Sequence, residues 1–181
     1  VVPGLASAAE DILLVGFRGL TDFDAVAAAD HLAATGVPFD VDGVTIDFPI
    51  RFRDDARTTR LAKALAADED DVRRRLADAV AAELDGHGRV GFPAMVGDDH
   101  GPEVRAALED RLGAAVFEIP TGPPSLLGMQ LEDLLIDALE RAGVRLSTGN
   151  PAVGYEAESG AVPAVLVERR RPEVPYHAAP A

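Results

Sequence analysis

The turn after the first apolar run of this chain has the composition of a ligand-binding loop. Residues Ile12–Val15 predict a buried strand, because four consecutive apolar residues are followed by a glycine. The segment 16–22 then leads from the carboxyl end of that strand into a helix, and ligands collect at such positions in open α/β sheets. Free N–H groups at the helix start could hold a phosphate, with Arg18 as its ion-pair partner. The alternative is a capped turn in which Asp22 and Asp24 complement the helix dipole.

A second unusual segment, residues 120–128, reads PTGPPSLLG and contains three prolines and two glycines. Such a composition restricts the backbone, and a rigid loop after a strand often forms the wall of a ligand or cofactor site. Thr121 and Ser125 offer hydroxyl groups, and Ser125 could also cap the helix that follows. A tight structural turn is the alternative, and composition alone does not separate the two.

A third loop begins at Phe92-Pro93-Ala94 and leads to the run Asp98-Asp99-His100. Carboxylates and imidazole are metal-ligating groups. Because adjacent residues rarely converge on one ion, we expect a solvated loop there and predict no metal site. No catalytic residue can be identified, since a nucleophile and its base meet in space and not in sequence.

The elements that must position these loops alternate between strands and helices. Strands are predicted at residues 12–15, 44–48, 89–92 and 115–119, with three further candidates at 144–146, 152–156 and 162–168. Helices are predicted at 22–34, at 57–84 as two helices broken near 68–70, at 101–112, and from a Ser125 cap to about 142. Thr21 is the predicted N-cap of the first helix. The prolines of residues 172–181 make regular structure there unexpected.

This alternation predicts an α/β fold with a mainly parallel sheet, flanking helices and a C-terminal antiparallel section. Residues 1–181 are expected to form a single domain. The sequence contains neither G-x-x-x-x-G-K-[ST] nor G-x-G-x-x-G, so the fingerprints of a nucleotide-binding turn are missing.

The charge of the chain limits its partners. The formal net charge is −14, the 17 basic Lys and Arg residues include one lysine, Lys63, and 48% of the residues are hydrophobic. We therefore expect a real core under an acidic surface, as in a protein from a salt-rich cytoplasm, where salt screens the repulsion. A high-GC genome, which replaces Lys by Arg, is the alternative. Nucleic-acid binding is excluded because phosphate contacts need a basic surface.

Other classes are excluded by what the sequence lacks. The chain has no cysteine, which excludes disulfides, iron–sulfur ligation and thiol catalysis within it. No segment approaches the roughly 20 apolar residues of a membrane span. The first residue is valine and not methionine, and we expect this chain to be part of a longer polypeptide.

The three loops resemble those of the B subunit of anaerobic glycerol-3-phosphate dehydrogenase. In that family a strand is followed by a Gly-x-x-Gly-Leu-x-Asp-Phe turn, which residues 16–23 match. Phe92-Pro93-Ala94 looks like the family's Met/Phe-Pro-Ala loop. Residues 120–128 look like its Pro-Thr-x-Pro-Pro-Ser-x-Leu-Gly motif, the most specific of the three. The motifs occur in the family's order with similar spacing over about residues 12–149.

The resemblance implies a flavoprotein subunit of which this chain is the middle, the cap or substrate domain of an FAD/NAD(P)-binding-type fold. The flanking dinucleotide-binding halves would lie outside it. The flavin, FMN or FAD, would belong to the full-length subunit, with none expected in this fragment. Residues of the strand-end loops would face the flavin or a partner subunit, and the implied cofactor-binding set is Gly16, Arg18, Gly19, Pro93, Thr121, Gly122, Pro123, Pro124 and Ser125.

The implied activity is passage of electrons from glycerol 3-phosphate, which becomes dihydroxyacetone phosphate, toward quinone. The implied partners are the flavin dehydrogenase subunit of the complex and its iron–sulfur, membrane-anchoring subunit, which would hold this subunit at the cytoplasmic face of the membrane. Two other classes stay open: a non-catalytic α/β module whose loops hold a small anion, and a structural cap that mediates subunit assembly.

Overall fold

The computed structural model describes residues 10–51, 56–96, 100–168 and 176–177. The chain divides into two compact units, Val1–Asp133 and Leu134–Ala181. The single domain expected over residues 1–181 stays a prediction, since compact units can belong to one domain.

The first unit is built on a four-stranded parallel sheet. Its strands, in the spatial order β2-β1-β3-β4, are β1 (Ile12–Phe17), β2 (Val41–Ile46), β3 (Arg89–Pro93) and β4 (Ala115–Ile119). Its helices are α1 (Ala25–Ala34), α2 (Thr58–Ala67), α3 (Val72–Ala81), α4 (Gly101–Leu112) and the start of α5 (Leu126–Arg141). The fold class and the break between α2 and α3 are confirmed, and a short 3-10 turn, Glu69–Asp71, lies at that break.

The central strand explains why this sheet has helices on both faces. Every residue of β1 is buried, and alternate side chains belong to different cores. Leu13 and Val15 pack with residues of α2, α3 and α4. Ile12 and Leu14 pack instead with residues of α1. The continuous apolar run is therefore the signature of a strand covered on both sides.

A close approach of backbones fixes α1 against the sheet. A Cβ atom added to Gly43 of β2 would lie 2.5 Å from the carbonyl oxygen of Ala25 and 2.6 Å from the Cα of Val26. Gly16 of β1 is less tight, with an added Cβ 3.0 Å from the Cβ of Ala25. Glycine at these strand positions allows the helix to pack at this distance.

The second unit contains an antiparallel sheet in the order β5-β6-β7. Its strands are β5 (Ala152–Glu158), β6 (Ala161–Val167) and β7 (Tyr176–His177). Ser159 and Gly160 join β5 to β6, and both have positive φ, 51° and 83°, as a tight hairpin turn requires. The expected C-terminal antiparallel section is confirmed.

Three local predictions are wrong. Residues 144–146 form no strand, although the apolar Val144 and Leu146 alternate with Arg145; they follow the αL glycine at 143 that ends α5. Tyr176–His177 pairs with β6 despite the neighbouring prolines. The second strand begins at Val41, three residues earlier than expected, because pairing with β1 extends to Ile12↔Val41.

Among the described residues, no helix combines the length and the apolar character needed to cross a bilayer.

Candidate functional site

The three loops singled out in the sequence leave the same edge of the parallel sheet. They follow the carboxyl ends of β1, β3 and β4, which run parallel to one another. The chain leaves β1 toward β2 on one side and later returns to β3 on the other. The carboxyl ends of β1 and β3 therefore flank a topological switch point, the usual ligand crevice of an open α/β sheet. We call this region the carboxyl edge.

At the carboxyl end of β1, the predicted cofactor residues Gly16 and Gly19 are needed for packing and for the backbone turn. Gly16 is buried, and its missing side chain leaves room for Ala25 of α1. Gly19 has a φ of 80°, and the N–H of Leu20 donates to the carbonyl of Phe17 at 3.1 Å, which closes a turn. A glycine at residue 19 therefore adopts a left-handed conformation that other residues rarely adopt.

Arg18 is paired within the chain. Its Nε donates to Oδ1 of Asp47 at 2.8 Å, and both side chains are exposed. Its backbone N–H donates to the carbonyl of Ile46 at the end of β2, at 2.9 Å. An exposed ion pair of this kind is weak, but it balances the positive charge that a phosphate would need.

The N-terminus of α1 is capped by a carboxylate. Oδ1 of Asp24 accepts from the N–H of Ala27 at 3.1 Å, so the helix begins at Ala25. The prediction of Thr21 as N-cap is wrong, because the Thr21 hydroxyl donates instead to the carbonyl of Ala56 at 3.3 Å. The capped-turn interpretation of this segment is confirmed for Asp24. The negative charge of Asp24 at the N-terminus of α1 would repel a phosphate, so this helix start is unfavourable for phosphate binding.

Asp22 caps a different helix. Its Oδ2 accepts from the N–H of Thr58 at 3.1 Å and from the Thr58 hydroxyl at 3.0 Å, at the start of α2. The Thr58 side chain is fully buried, and its hydroxyl lies 3.5 Å from the hydroxyl of Thr121. The three residues, which we call the threonine tie, connect the turn after β1, the start of α2 and the loop after β4.

Reasoning from the sequence did not identify the contacts of the threonine tie. Asp22 is the aspartate of the Gly-x-x-Gly-Leu-x-Asp-Phe turn, but its partner Thr58 is 36 residues away, and no spacing rule links the two. Oδ1 of Asp22 is buried and has no hydrogen-bond partner within the described part of the chain. Buried acceptors usually have a hydrogen-bond partner, so the unpaired Oδ1 of Asp22 is an unusual feature of the carboxyl edge.

The loop after β3 is held by a second carboxylate that the sequence did not identify. Oε1 of Glu118 in β4 accepts from the N–H of Met95 at 2.7 Å and also from the N–H of Val96. The N–H of Ala94 donates to the carbonyl of Ile119 at 2.9 Å, which extends the strand pairing. Pro93, a predicted cofactor residue, is the buried last residue of β3 and pairs with Ile119, so it does not lie on the surface of the loop.

The loop after β4 combines a structural end with an exposed middle. Ser125 accepts from the N–H of Gly128 at 3.1 Å, which confirms its predicted role as the cap of α5. Gly122, Pro123 and Pro124 are exposed, and the peptide bond between the two prolines is cis. A Cβ added to Gly122 would have no neighbour within 4 Å. These three residues are therefore free to contact a ligand or partner.

A surface pocket of about 450 Å³ lies between β4 and the start of α4. Its lining includes Arg105 of α4, Glu118 of β4 and five smaller or apolar neighbours: Val96, Gly101, Pro102, Val116 and Phe117. Arg105 approaches Glu109 at 3.9 Å. The pocket therefore offers one base and one acid without a dominant charge.

Among the described residues, the carboxyl edge holds neither a cluster of metal-ligating side chains nor a side chain with a clearly shifted pKa. Within the residues that the structure describes, no group of three metal-ligating side chains converges; Asp98 and Asp99 of the acidic run lie outside them. The Arg111 guanidinium, 2.6 Å from the carboxylate of Asp78, holds the pKa of Asp78 below its usual value. That exposed pair joins α3 to α4 and contains no residue of the three loops.

Comparison with known proteins agrees with this architecture. A family model described as FAD binding domain matches residues 4–174. The chain is 50% identical to the probable B subunit of anaerobic glycerol-3-phosphate dehydrogenase from Halobacterium salinarum, over 97% of this chain and 43% of that protein. It is 29% identical to the B subunit of anaerobic glycerol-3-phosphate dehydrogenase from Pectobacterium atrosepticum, over 84% of this chain and 37% of that protein.

The protein of the same name from Yersinia enterocolitica is 27% identical over 94% of this chain and 40% of its own length. The resemblance inferred from the three motifs is therefore confirmed. The chain spans less than half the length of these curated relatives. No solved structure matches it.

Proposed function

This chain belongs to the FAD binding domain family, and from that premise we propose that it forms part of the flavoprotein B subunit of an anaerobic glycerol-3-phosphate dehydrogenase. The full-length subunit would help to pass electrons from glycerol 3-phosphate toward quinone. The relatives carry the name of this enzyme and of this subunit. The proposal extends that name to this chain and adds the electron acceptor.

One observation carries the proposal. The three family motifs, separated by up to about a hundred residues of sequence, gather on the carboxyl edge of one parallel sheet. The threonine tie joins the first motif to the third through α2, and Glu118 anchors the second to β4. These loops are far apart in sequence, yet they lie on one edge and are joined by hydrogen bonds. That arrangement supports a common role for them.

The geometry supports a flavin site that is divided between this chain and the rest of the full-length subunit. The turn after β1 does not fit the pyrophosphate of a dinucleotide, since Asp24 already caps α1 and Arg18 is paired with Asp47. We propose that the rest of the full-length subunit holds the flavin, FMN or FAD. The exposed residues Gly122, Pro123 and Pro124 would form a wall beside it. A bound flavin supplies the capacity to accept a hydride, and the protein supplies position and electrostatics.

The overall reaction sets the partners that the subunit needs. Oxidation of the secondary alcohol of glycerol 3-phosphate to the ketone of dihydroxyacetone phosphate releases two electrons and two protons. We propose that a separate flavin dehydrogenase subunit carries out this oxidation, and that an iron–sulfur subunit receives the electrons and anchors the complex to the cytoplasmic face of the membrane. This chain itself has no cysteine to ligate an iron–sulfur cluster.

A role in subunit assembly is the second candidate, and the exposed apolar side chains of α5 favour it. Binding of a small anion is disfavoured, because Arg18 is paired and Asp24 occupies the start of α1.

The test targets the exposed loop after β4. Replacing Pro123 and Pro124 together by alanine removes the restricted backbone of the proposed wall. We expect quinone reduction by the reconstituted complex to fall several-fold, with an unchanged circular dichroism spectrum. Pro38→Ala, in an exposed loop before β2, is the matched control and should leave the rate unchanged. Full activity of the double variant would make this loop an ordinary turn.

The isolated 181-residue chain provides a separate test of the divided flavin site. We expect it to be purified without colour and to leave glycerol 3-phosphate unoxidised, because it lacks a dinucleotide fingerprint. Absorbance near the flavin bands and a dye-reduction assay measure this. Stoichiometric flavin in the purified chain would contradict the divided site.

A further inference from the structure

The hydrogen bonds of the threonine tie run in one direction, which the chemistry of its oxygens imposes. A carboxylate can only accept, so the single hydroxyl hydrogen of Thr58 goes to Oδ2 of Asp22, 3.0 Å away. The Thr58 oxygen also lies 3.5 Å from the Thr121 oxygen. Because the hydrogen of Thr58 is already used, Thr121 is the donor in this contact. The hydroxyl hydrogen of Thr121 therefore points inward, toward the fully buried Thr58.

This direction leaves the Thr121 oxygen as an acceptor for a group outside the chain. A hydroxyl has one hydrogen and two lone pairs, and Thr58 takes the hydrogen. Thr121 is partly exposed and directly precedes the exposed residues Gly122, Pro123 and Pro124. Among the described residues, the contact with Thr58 is the one polar contact of the Thr121 side chain. Its lone pairs are therefore available to a hydrogen-bond donor.

The carboxylate behind Thr58 favours a donor over an anion at Thr121. Oδ1 of Asp22 is buried and has no hydrogen-bond partner in the described ranges, while Oδ2 accepts from the N–H and the hydroxyl of Thr58. A negative charge at the end of a chain of hydroxyls polarises them, which strengthens the acceptor at the outer end. The same charge repels an anionic group. The group that suits Thr121 is therefore an uncharged N–H or O–H donor.

Family membership indicates which ligand carries this donor. The chain belongs to the FAD binding domain family, and a flavin has uncharged donors of two kinds, the N–H of its ring and the hydroxyls of its ribityl chain. We propose that the hydroxyl oxygen of Thr121 accepts a hydrogen bond from one of these donors on the flavin of the full-length subunit. This inference rests on the proposed function in one respect, that the flavin lies beside the loop after β4.

The test combines changes in the protein with changes in the ligand. Thr121→Val and Thr121→Ala both remove the acceptor, and Thr121→Ser keeps it. Thr35→Val is the matched control, because the exposed Thr35 hydroxyl donates to the carbonyl of Leu32 at the C-terminal end of α1. The probes are riboflavin, lumiflavin, which lacks the ribityl chain, and 3-methyllumiflavin, which also lacks the ring N–H. Quenching of flavin fluorescence gives their dissociation constants with the flavin-free full-length subunit, and circular dichroism checks the fold.

We expect Thr121→Val and Thr121→Ala to weaken riboflavin binding about tenfold, as the loss of one hydrogen bond would. If the ring N–H is the donor, the unsubstituted subunit should prefer lumiflavin to 3-methyllumiflavin about tenfold, and both variants should lose that preference. If a ribityl hydroxyl is the donor, both variants should weaken riboflavin binding and leave lumiflavin binding unchanged. Thr121→Ser and Thr35→Val should keep the affinities of the unsubstituted subunit.

Three outcomes would overturn the inference. Unchanged riboflavin binding in Thr121→Val and Thr121→Ala would mean that no flavin donor reaches this oxygen. An equal loss in Thr121→Ser would mean that Thr121 acts through its shape. A full-length subunit that binds none of the three probes would remove the ligand. Quinone reduction by the reconstituted complex decides the proposed function separately: a complex that reduces no quinone, with flavin binding still dependent on Thr121, would refute that function and leave the role of Thr121 standing.

Discussion

At the scale of single residues, the carboxyl edge is organised by two carboxylates that accept hydrogen bonds from elsewhere in the chain. Asp22 accepts from the backbone and the hydroxyl of Thr58, and Glu118 accepts from two consecutive amides of the loop after β3. Hydrogen bonds to a charged acceptor are stronger than neutral ones. Each carboxylate therefore fixes a loop that has little regular structure of its own.

Thr58→Val tests the threonine tie. Valine keeps the size of the side chain and removes the hydroxyl that donates to Asp22 at 3.0 Å. Because Thr58 is fully buried, the lost bond should lower the free energy of unfolding by about 1–3 kcal/mol. Chemical denaturation measures the change. Thr59→Val, one residue later and partly exposed, is the control and should cost less; equal losses would mean that the tie contributes no specific stability.

Glu118→Ala tests the anchor of the loop after β3. The substitution leaves the amides of Met95 and Val96 without their acceptor in a buried segment. We expect a loss of about 1–3 kcal/mol in the free energy of unfolding and faster hydrogen exchange at these two amides. Exchange rates in α1 should stay unchanged. Unaltered protection of Met95 and Val96 would show that the loop holds its shape without the carboxylate.

At the scale of elements, the position of α1 depends on glycines in the strands beneath it. Gly43 lies opposite Leu14 in the pairing of β2 with β1, and its Cα hydrogens face the backbone of Ala25 and Val26. The atoms in the way are backbone atoms, which cannot rotate aside as a side chain end can. The distance between helix and sheet is therefore set by the absence of one methyl group.

Gly43→Ala follows from this packing. An added Cβ at 2.5 Å from the carbonyl oxygen of Ala25 must displace α1, and such overpacking typically costs about 1–3 kcal/mol of stability or more. Gly122→Ala is the matched control, since its added Cβ meets no atom within 4 Å and its φ is not positive. Denaturant midpoints of the two variants give the comparison. Similar midpoints would contradict the close approach.

At the scale of the whole molecule, charge is the dominant feature. The chain carries 31 acidic residues against 17 Lys and Arg residues, and a buried apolar core accompanies them. The local ion pairs, such as those between Arg74 and the carboxylates of Asp71 and Asp78, leave most of this charge unbalanced. Counterions must therefore reduce the remaining repulsion.

Salt should stabilise this chain strongly. We expect the thermal midpoint to rise on going from low salt to molar KCl, because the Debye length falls from roughly 30 Å at 0.01 M to about 3 Å at 1 M. Differential scanning calorimetry over a KCl series measures this, with sucrose as a control for solute effects unrelated to charge. A midpoint that does not rise with KCl would contradict adaptation to a salt-rich cytoplasm.

Local pattern determined most of the elements. The apolar run at Ile12 predicted a buried strand, and the Ser125 cap and the break near residues 68–70 were found in place. Each of these depends on neighbours within one or two turns of the chain, so composition and spacing contain the information. The same local logic failed at residues 144–146, where two apolar residues on either side of Arg145 produced no strand.

Only the tertiary structure decided what the candidate residues do. Gly16 packs against a helix, Pro93 is buried at the end of β3, and Arg18 is paired across 29 residues with Asp47. Thr58 and Glu118 acquire their roles from partners brought together by strand order, which no local spacing encodes. Composition determined an apolar core, an excess of acid and a set of strand-end loops. The order and parallel direction of the strands, which are long-range properties, determined which of those loops share one edge.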